Sequence, residues 1–152
     1  MSSRFDPAAT ERACTTCRVV KPLELFYKAS NPRAPYGRDG KCRECQREQR
    51  KRWARAYKRR TRLGALGAYS NGDIKCACCG ERTLMFLTLD HIGGGGTAHR
   101  RSLGTSRQFY MHLKMLGYPL GLRVLCWNCN SGSAVNGGVC PHVSEAAKVG
   151  VS

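Results

Sequence analysis

The chain has 152 residues, a formal net charge of +16 and ten cysteines, a length that makes one ordinary domain or two very small ones; cores of fewer than about 70 residues usually need staples. No apolar stretch approaches the roughly 20 residues of a membrane span, and the opening MSSRFDPAATERAC holds no signal-peptide core. A membrane protein and a secreted, disulfide-stapled one are therefore not expected; a cytoplasmic protein is, in the host cytoplasm if it is viral, with nucleic acid ahead of a membrane surface as the polyanionic partner of so basic a chain.

In chain order the cysteines fall into four CxxC pairs: Cys14 with Cys17, Cys42 with Cys45, Cys76 with Cys79, and Cys126 with Cys129. Two intervening residues let one tight turn present both thiolates to a tetrahedral ion, and four such pairs group naturally into two four-cysteine zinc sites. Binding of each ion is worth on the order of 10 kcal/mol of apparent folding energy, enough to organise a module too small to fold alone. Cys78, crowded inside CACCG, reads as an inert thiol; Cys140 and His142 in CPH offer two ligands, short of a site.

The first pairs bracket a zinc module over residues 1–46, with a knuckle at CTTC, a mixed apolar segment, and the loop NPRAPYGRDG that no helix could cross. From Cys42 a helix rich in strong formers is expected to run to about Arg62, where LGALG breaks it. Its cations Arg47, Arg50, Lys51, Arg52, Arg55, Lys58, Arg59, Arg60 and Arg62 face Glu48 alone, the one-sidedness of a phosphate-binding surface. Trp53 and Tyr57, four apart, read as packing anchors ahead of base-stacking groups. The basic helix and a glycine-punctuated linker fill 47–72.

The second domain is expected over 73–143, with a tail over 144–152. TLMFLTLDH is a strand candidate, IGGGGTAHRRSLG a loop, and the stretch with Phe109, Leu113 and Leu116 on one face a helix capped by Ser106 and stopped by Gly117 and Pro119. LRVLC is a second strand leading into the last CxxC. If Cys76, Cys79, Cys126 and Cys129 share one ion, the strand ending at Asp90 pairs back towards Asn130, and Asp90, His91 and Asn130 come within reach of one another. Asp and Asn are oxygen ligands for a hard cation, Mg2+ or Mn2+, and His is the usual base near neutral pH. His91 would take a proton from water while the ion on Asp90 and Asn130 stabilised a pentacoordinate phosphate. The four glycines suit close approach to a phosphate as well as they suit a plain connector, and Arg100 and Arg101 beyond them could clamp it.

The run CACCG...LTLDH...GLRVLCWNCN resembles the HNH, or ββα-metal (His-Me finger), endonucleases, in particular the zinc-containing branch typified by phage endonuclease VII. The resemblance covers about Cys76 to Gly138. It implies an α+β architecture: a small zinc-stapled ββα-metal domain preceded by the N-terminal zinc module and basic linker helix. It also implies His91 as general base, Asp90 with Asn130 as ligands of a catalytic divalent ion, and DNA, duplex or branched, as substrate. CTTCRVVKPLELFY...GKCRECQRE is similar to the zinc module often fused ahead of phage-type HNH domains. The central Asn that many HNH sequences carry has no counterpart in YPLGLRV, so a backbone carbonyl would have to orient the imidazole, or the domain would be impaired as a nuclease. Against the enzyme stands a non-catalytic zinc-dependent nucleic-acid-binding or regulatory protein retaining the nuclease fold. A homodimer is compatible with either reading, and nothing in the sequence indicates a protein partner.

Overall fold

The computed structural model describes residues 8–143 apart from 104 and 105, without the side chains of residues 97, 100, 103, 106 and 107. The expected tail over 144–152 lies outside the described residues. The chain divides into two compact units, Met1–Ala56 and Tyr57–Ser152, and the division falls inside a helix.

The first unit is two antiparallel strand pairs. Strand β1 (Glu11–Ala13) pairs with β2 (Val20–Pro22), and β3 (Phe26–Lys28) pairs with β4 (Arg38–Cys42). Its interior is Phe26, Cys14 and Cys42, with Cys45 packed against them. Burying one Phe contributes about 2–3 kcal/mol, far short of the entropy of ordering such a chain. A metal held by its four cysteines would supply the missing staple.

Helix α1 spans Arg43–Ala68 and does not stop at Arg62. The expected break at LGALG fails because Ala65 and Leu66 are fully buried in the core of the second unit. Burial of Leu66 alone, at about 2–3 kcal/mol, outweighs the ~1 kcal/mol penalty of each helical glycine. At Gly64 a β-carbon would stand 3.0 Å from the Tyr118 hydroxyl, so glycine there also makes room for a neighbour. The helix ends where the Gly72 N–H reaches the Gly67 carbonyl over 2.9 Å, with Asn71 and Gly72 in the left-handed region.

The second unit continues with β5 (Leu87–His91), α2 (Gly96–Leu103), α3 (Ser106–Met115), β6 (Leu122–Cys126) and α4 (Trp127–Val135). Strands β5 and β6 are antiparallel in continuous register from Leu87 opposite Cys126 to His91 opposite Leu122, and α4 touches both. Leu87, Thr88 and Leu89 are all buried, so β5 is enclosed on both faces. A second departure is α2, in a stretch expected to be loop. Once the last glycine is passed, TAHRRSL is ordinary helix material, and the His99 N–H closes onto the Gly95 carbonyl. In α3, Phe109 and Leu113 enter the core as expected, whereas Leu116 lies beyond the helix and is 56% exposed. Among the described residues no helix is long and apolar enough to cross a membrane.

Candidate metal centres and the adjoining cleft

The two units solve one local problem in the same way. In each, the first cysteine of a CxxC accepts on its carbonyl from the N–H four residues on (Arg18 to Cys14, 2.9 Å; Gly80 to Cys76, 3.0 Å). Its own N–H reaches the carbonyl five residues on, Val19 or Glu81. The residue four on from that cysteine is left-handed in both knuckles, Arg18 at φ 64° and Gly80 at φ 77°. This turn aims the two sulfurs at a common point, which the second CxxC completes. The ligand atoms of Cys14, Cys17, Cys42 and Cys45 lie within 4.8 Å of one another, and those of Cys76, Cys79, Cys126 and Cys129 do the same. Cys79 Sγ and Cys126 Sγ are 3.7 Å apart, close to the ~3.8 Å edge of a tetrahedron with Zn–S bonds of about 2.3 Å. Both clusters can hold zinc.

The thiols are arranged for a cation. Burial opposes ionising Cys14, but the backbone N–H groups of Cys42, Cys17 and Thr16 outweigh it and bring the thiol down from 9.0 to about 6. In the second unit burial opposes ionisation of Cys76, and the N–H groups of Cys79, Cys126 and Cys78 bring it to about 7. Their neighbours go the other way. Cys45, hydrogen-bonded first to Cys42 and also partly desolvated, is pushed up to about 12, and burial with contacts to Cys126 and Cys79 pushes Cys129 upward too. Four thiolates in a tetrahedral grouping are a zinc donor set.

A third cluster escaped the sequence reading, which took Cys78 as inert and counted too few ligands around CPH. Cys78, Cys129, Cys140 and His142 bring their ligand atoms within 4.8 Å of one another. Cys140 and His142 lie far along the chain from Cys78, and only the fold brings them together.

Beside the second cluster lies a cleft of about 660 Å3 lined by Asp90, His91, Gly93, Gly94, Gly95, Gly96, Arg123, Asn130 and Ser133, among others. The expected trio thus lines one cavity. Asp90 and His91 are delivered by the end of β5. Asn130 follows Cys129 in α4, a helix whose N-cap is Cys126, its sulfur accepting from the Cys129 N–H at 3.4 Å. A sulfur of the candidate zinc cluster thus stands where Ser or Asp usually caps, and fixes the helix that carries Asn130.

Two groups around the trio were not assigned from sequence. Arg123, directly opposite Asp90 in the strand register, donates from Nε to Asp90 Oδ2 at 2.9 Å. A carboxylate offers about four lone-pair positions, so Asp90 retains acceptor capacity for a cation. The second group is His99, in the first turns of α2, whose Nδ1 lies 2.8 Å from His91 Nε2, the rings meeting edge to face with centroids 5.1 Å apart. Phe109 flanks both rings at 5.9 and 5.4 Å. The imidazole of His91 is therefore held by a second imidazole where a backbone carbonyl was expected. On its other side a β-carbon at Gly96 would come within 2.8 Å of His91 Nδ1. The four glycines serve two ends: Gly93, Gly94 and Gly95 have φ between 81° and 89°, whereas Gly96 clears space for the ring.

The cations of α1 divide. Arg47, Arg50, Lys51, Arg52 and Arg55 of the first unit and Lys58, Arg59 and Arg60 of the second are exposed. Arg62 is half-buried, and its Nη2 donates to the carbonyls of Leu84 and Leu87 at 2.6 and 2.7 Å, a structural engagement in place of a phosphate-facing one. Arg101 is exposed; the side chain of Arg100 lies outside the described residues. Trp53, expected as a packing anchor, is 60% exposed. Asn136 caps α4 and donates to the Val139 carbonyl, a loop-fixing contact.

No protein-family model, no curated protein and no solved structure matches the chain.

Proposed function

We propose that the protein is a zinc-stapled endonuclease of the HNH type that hydrolyses DNA phosphodiester bonds with one divalent ion in the cleft. The observation that carries the reading is the shared lining of that cleft by Asp90, His91 and Asn130, with the glycine run at its mouth. The residues fit a hard cation: a carboxylate and an amide oxygen are the donors Mg2+ or Mn2+ takes, and they enter from adjacent, metal-anchored elements. When bound there, the ion supplies electrostatic stabilisation of charge developing on the phosphate.

The chain's own residues supply the rest. His91 Nε2 meets His99 Nδ1 at 2.8 Å, which orients the ring at the end of β5, and an imidazole is the usual base near neutral pH. His91 takes a proton from water, whose oxygen attacks phosphorus as the P–O bond to the 3′ oxygen breaks, and the leaving oxygen takes its proton from solvent. His99 holds the ring's orientation and disperses the positive charge it gains. Arg123 keeps the Asp90 carboxylate aimed across the hairpin. The backbone of Gly93 to Gly95, free of side chains, lets a phosphate approach closely. The exposed cations of α1 and the exposed Trp53 supply sequence-independent contacts to phosphates and a base.

The deciding experiment is cleavage of supercoiled plasmid and of a four-way junction by zinc-loaded protein, with and without Mg2+ or Mn2+, comparing wild type with His91→Ala. Metal-dependent conversion by the wild type and its loss in a folded, zinc-retaining variant is the expected result, and the preferred substrate separates nickase from resolvase. If neither protein cuts and both bind DNA equally, the reading falls and the cleft belongs to a nucleic-acid-binding protein.

A further inference from the structure

From the third cysteine cluster we infer that the second unit carries two zinc ions bridged by the thiolate of Cys129, and the whole chain three. The two clusters of this unit share that one residue: Cys76, Cys79 and Cys126 on one side, Cys78, Cys140 and His142 on the other, each set one ligand short of a tetrahedron without Cys129. A thiolate has lone pairs for two metals, and with Cys129 counted twice both tetrahedra close. All ten cysteines of the chain are then ligands.

The distances carry the argument. For Zn–S bonds of about 2.3 Å and a Zn–N bond of about 2.0 Å, an N···S edge of a tetrahedron is about 3.5 Å and an S···S edge about 3.8 Å. His142 Nδ1 lies 3.3 Å from Cys129 Sγ, 3.6 Å from Cys140 Sγ and 4.0 Å from Cys78 Sγ, values that bracket such an edge. Knuckle CACC therefore serves both ions from one turn, Cys76 and Cys79 to one and Cys78 to the other.

The segment that brings Cys140 and His142 is seated on α4 by contacts of its own. A β-carbon at Gly132 would meet Pro141 Cδ at 2.9 Å, so glycine in mid-helix is what lets the CPH corner close on the helix. Ser133, buried, donates its hydroxyl to the Gly138 carbonyl at 2.6 Å and accepts on its own carbonyl the Gly138 N–H. Glycine inside a helix costs about 1 kcal/mol against alanine, a penalty the corner makes intelligible. Charge closes as well: six thiolates and a neutral imidazole against two divalent ions leave −2, the same as the four-thiolate site of the first unit.

The test counts zinc per chain by native mass spectrometry and elemental analysis, on the full chain and on a Cys140→Ser/His142→Ala double variant. Three ions in the wild type and two in the variant are expected, since the set of Cys76, Cys79, Cys126 and Cys129 is intact there. In 113Cd-substituted protein, the β-protons of Cys129 should couple to two cadmium nuclei and those of Cys126 to one. Gly132→Ala touches no ligand and should weaken retention of one ion against a chelator about tenfold or more, leaving the other two. Two ions in the wild type, an unchanged count in the double variant, or Cys129 coupled to a single cadmium overturns the inference. None of these readouts depends on whether the cleft cuts DNA.

Discussion

Gly96→Ala tests the placement of the His91 ring without removing any reacting group. The new β-carbon would sit 2.8 Å from Nδ1, and ordinary contact begins at 3.4 Å. The ring or the turn must therefore give by about 0.6 Å. His99 and Phe109 hold the ring from behind, so the retreat also disturbs the 2.8 Å contact between the imidazoles. Displacements near 1 Å cost about 100-fold in well-positioned reactions, so single-turnover cleavage should fall about 10- to 100-fold. Stability should change little. Overpacking costs about 1–3 kcal/mol and is offset by up to ~1 kcal/mol from replacing a glycine at the start of α2, so the fold survives at 25 °C. The assay is single-turnover plasmid nicking at saturating protein and metal, with zinc content and thermal melting recorded on the same sample. Cleavage within twofold of wild type, with melting and zinc unchanged, would refute the reasoning, because the chemistry would then be indifferent to where that imidazole stands.

Gly67→Ala, at a helical position with nothing within 4 Å of the added carbon, should stabilise the second unit by about 0.5–1 kcal/mol, read from urea unfolding. Arg59→Gln should lower the slope of log K against log salt for duplex DNA by about 0.9, whereas Arg62→Gln should leave the slope alone and destabilise the unit by about 1–3 kcal/mol as the Leu84 and Leu87 carbonyls lose their donor. Acid should release zinc: with Cys14 at about 6 and Cys76 at about 7, both lowered from 9.0, their thiolate contribution is full above pH 9 and is lost as pH falls through those values. Release from both units can be followed with a chromophoric chelator from pH 8 to pH 5.

What the sequence disclosed and what it hid separate along a physical line. Ligand spacing and strand ends are local, so the CxxC pairs, Asp90 with His91, and Asn130 after Cys129 could all be found by inspection, and the cleft unites the last three. Arg123 was within reach of the same reasoning: pairing Leu87 with Cys126 and counting back puts it opposite Asp90. The length of α1 was not, because propensity treats Gly64 and Gly67 alike as breakers and knows nothing of the pocket that receives Leu66. His99 was hidden behind the expectation that a glycine run continues as loop, and the partnership of Cys78 with Cys140 and His142 spans too much chain for any local pattern.

The interior of the first unit, one phenylalanine among cysteines, sets how that module can change over time. Where a large core constrains dozens of positions, here most described side chains face water, and substitutions at such sites usually shift stability by less than about 0.5 kcal/mol. The fold of this unit rests on four sulfurs, Phe26, a pair of turns and Arg12, whose guanidinium donates to the Arg38 and Asp39 carbonyls. Val19, Val20, Leu25 and the cations of its helix can be exchanged for a new binding surface with little consequence for folding. Such a module is suited to rapid change of what it touches while what it is stays fixed.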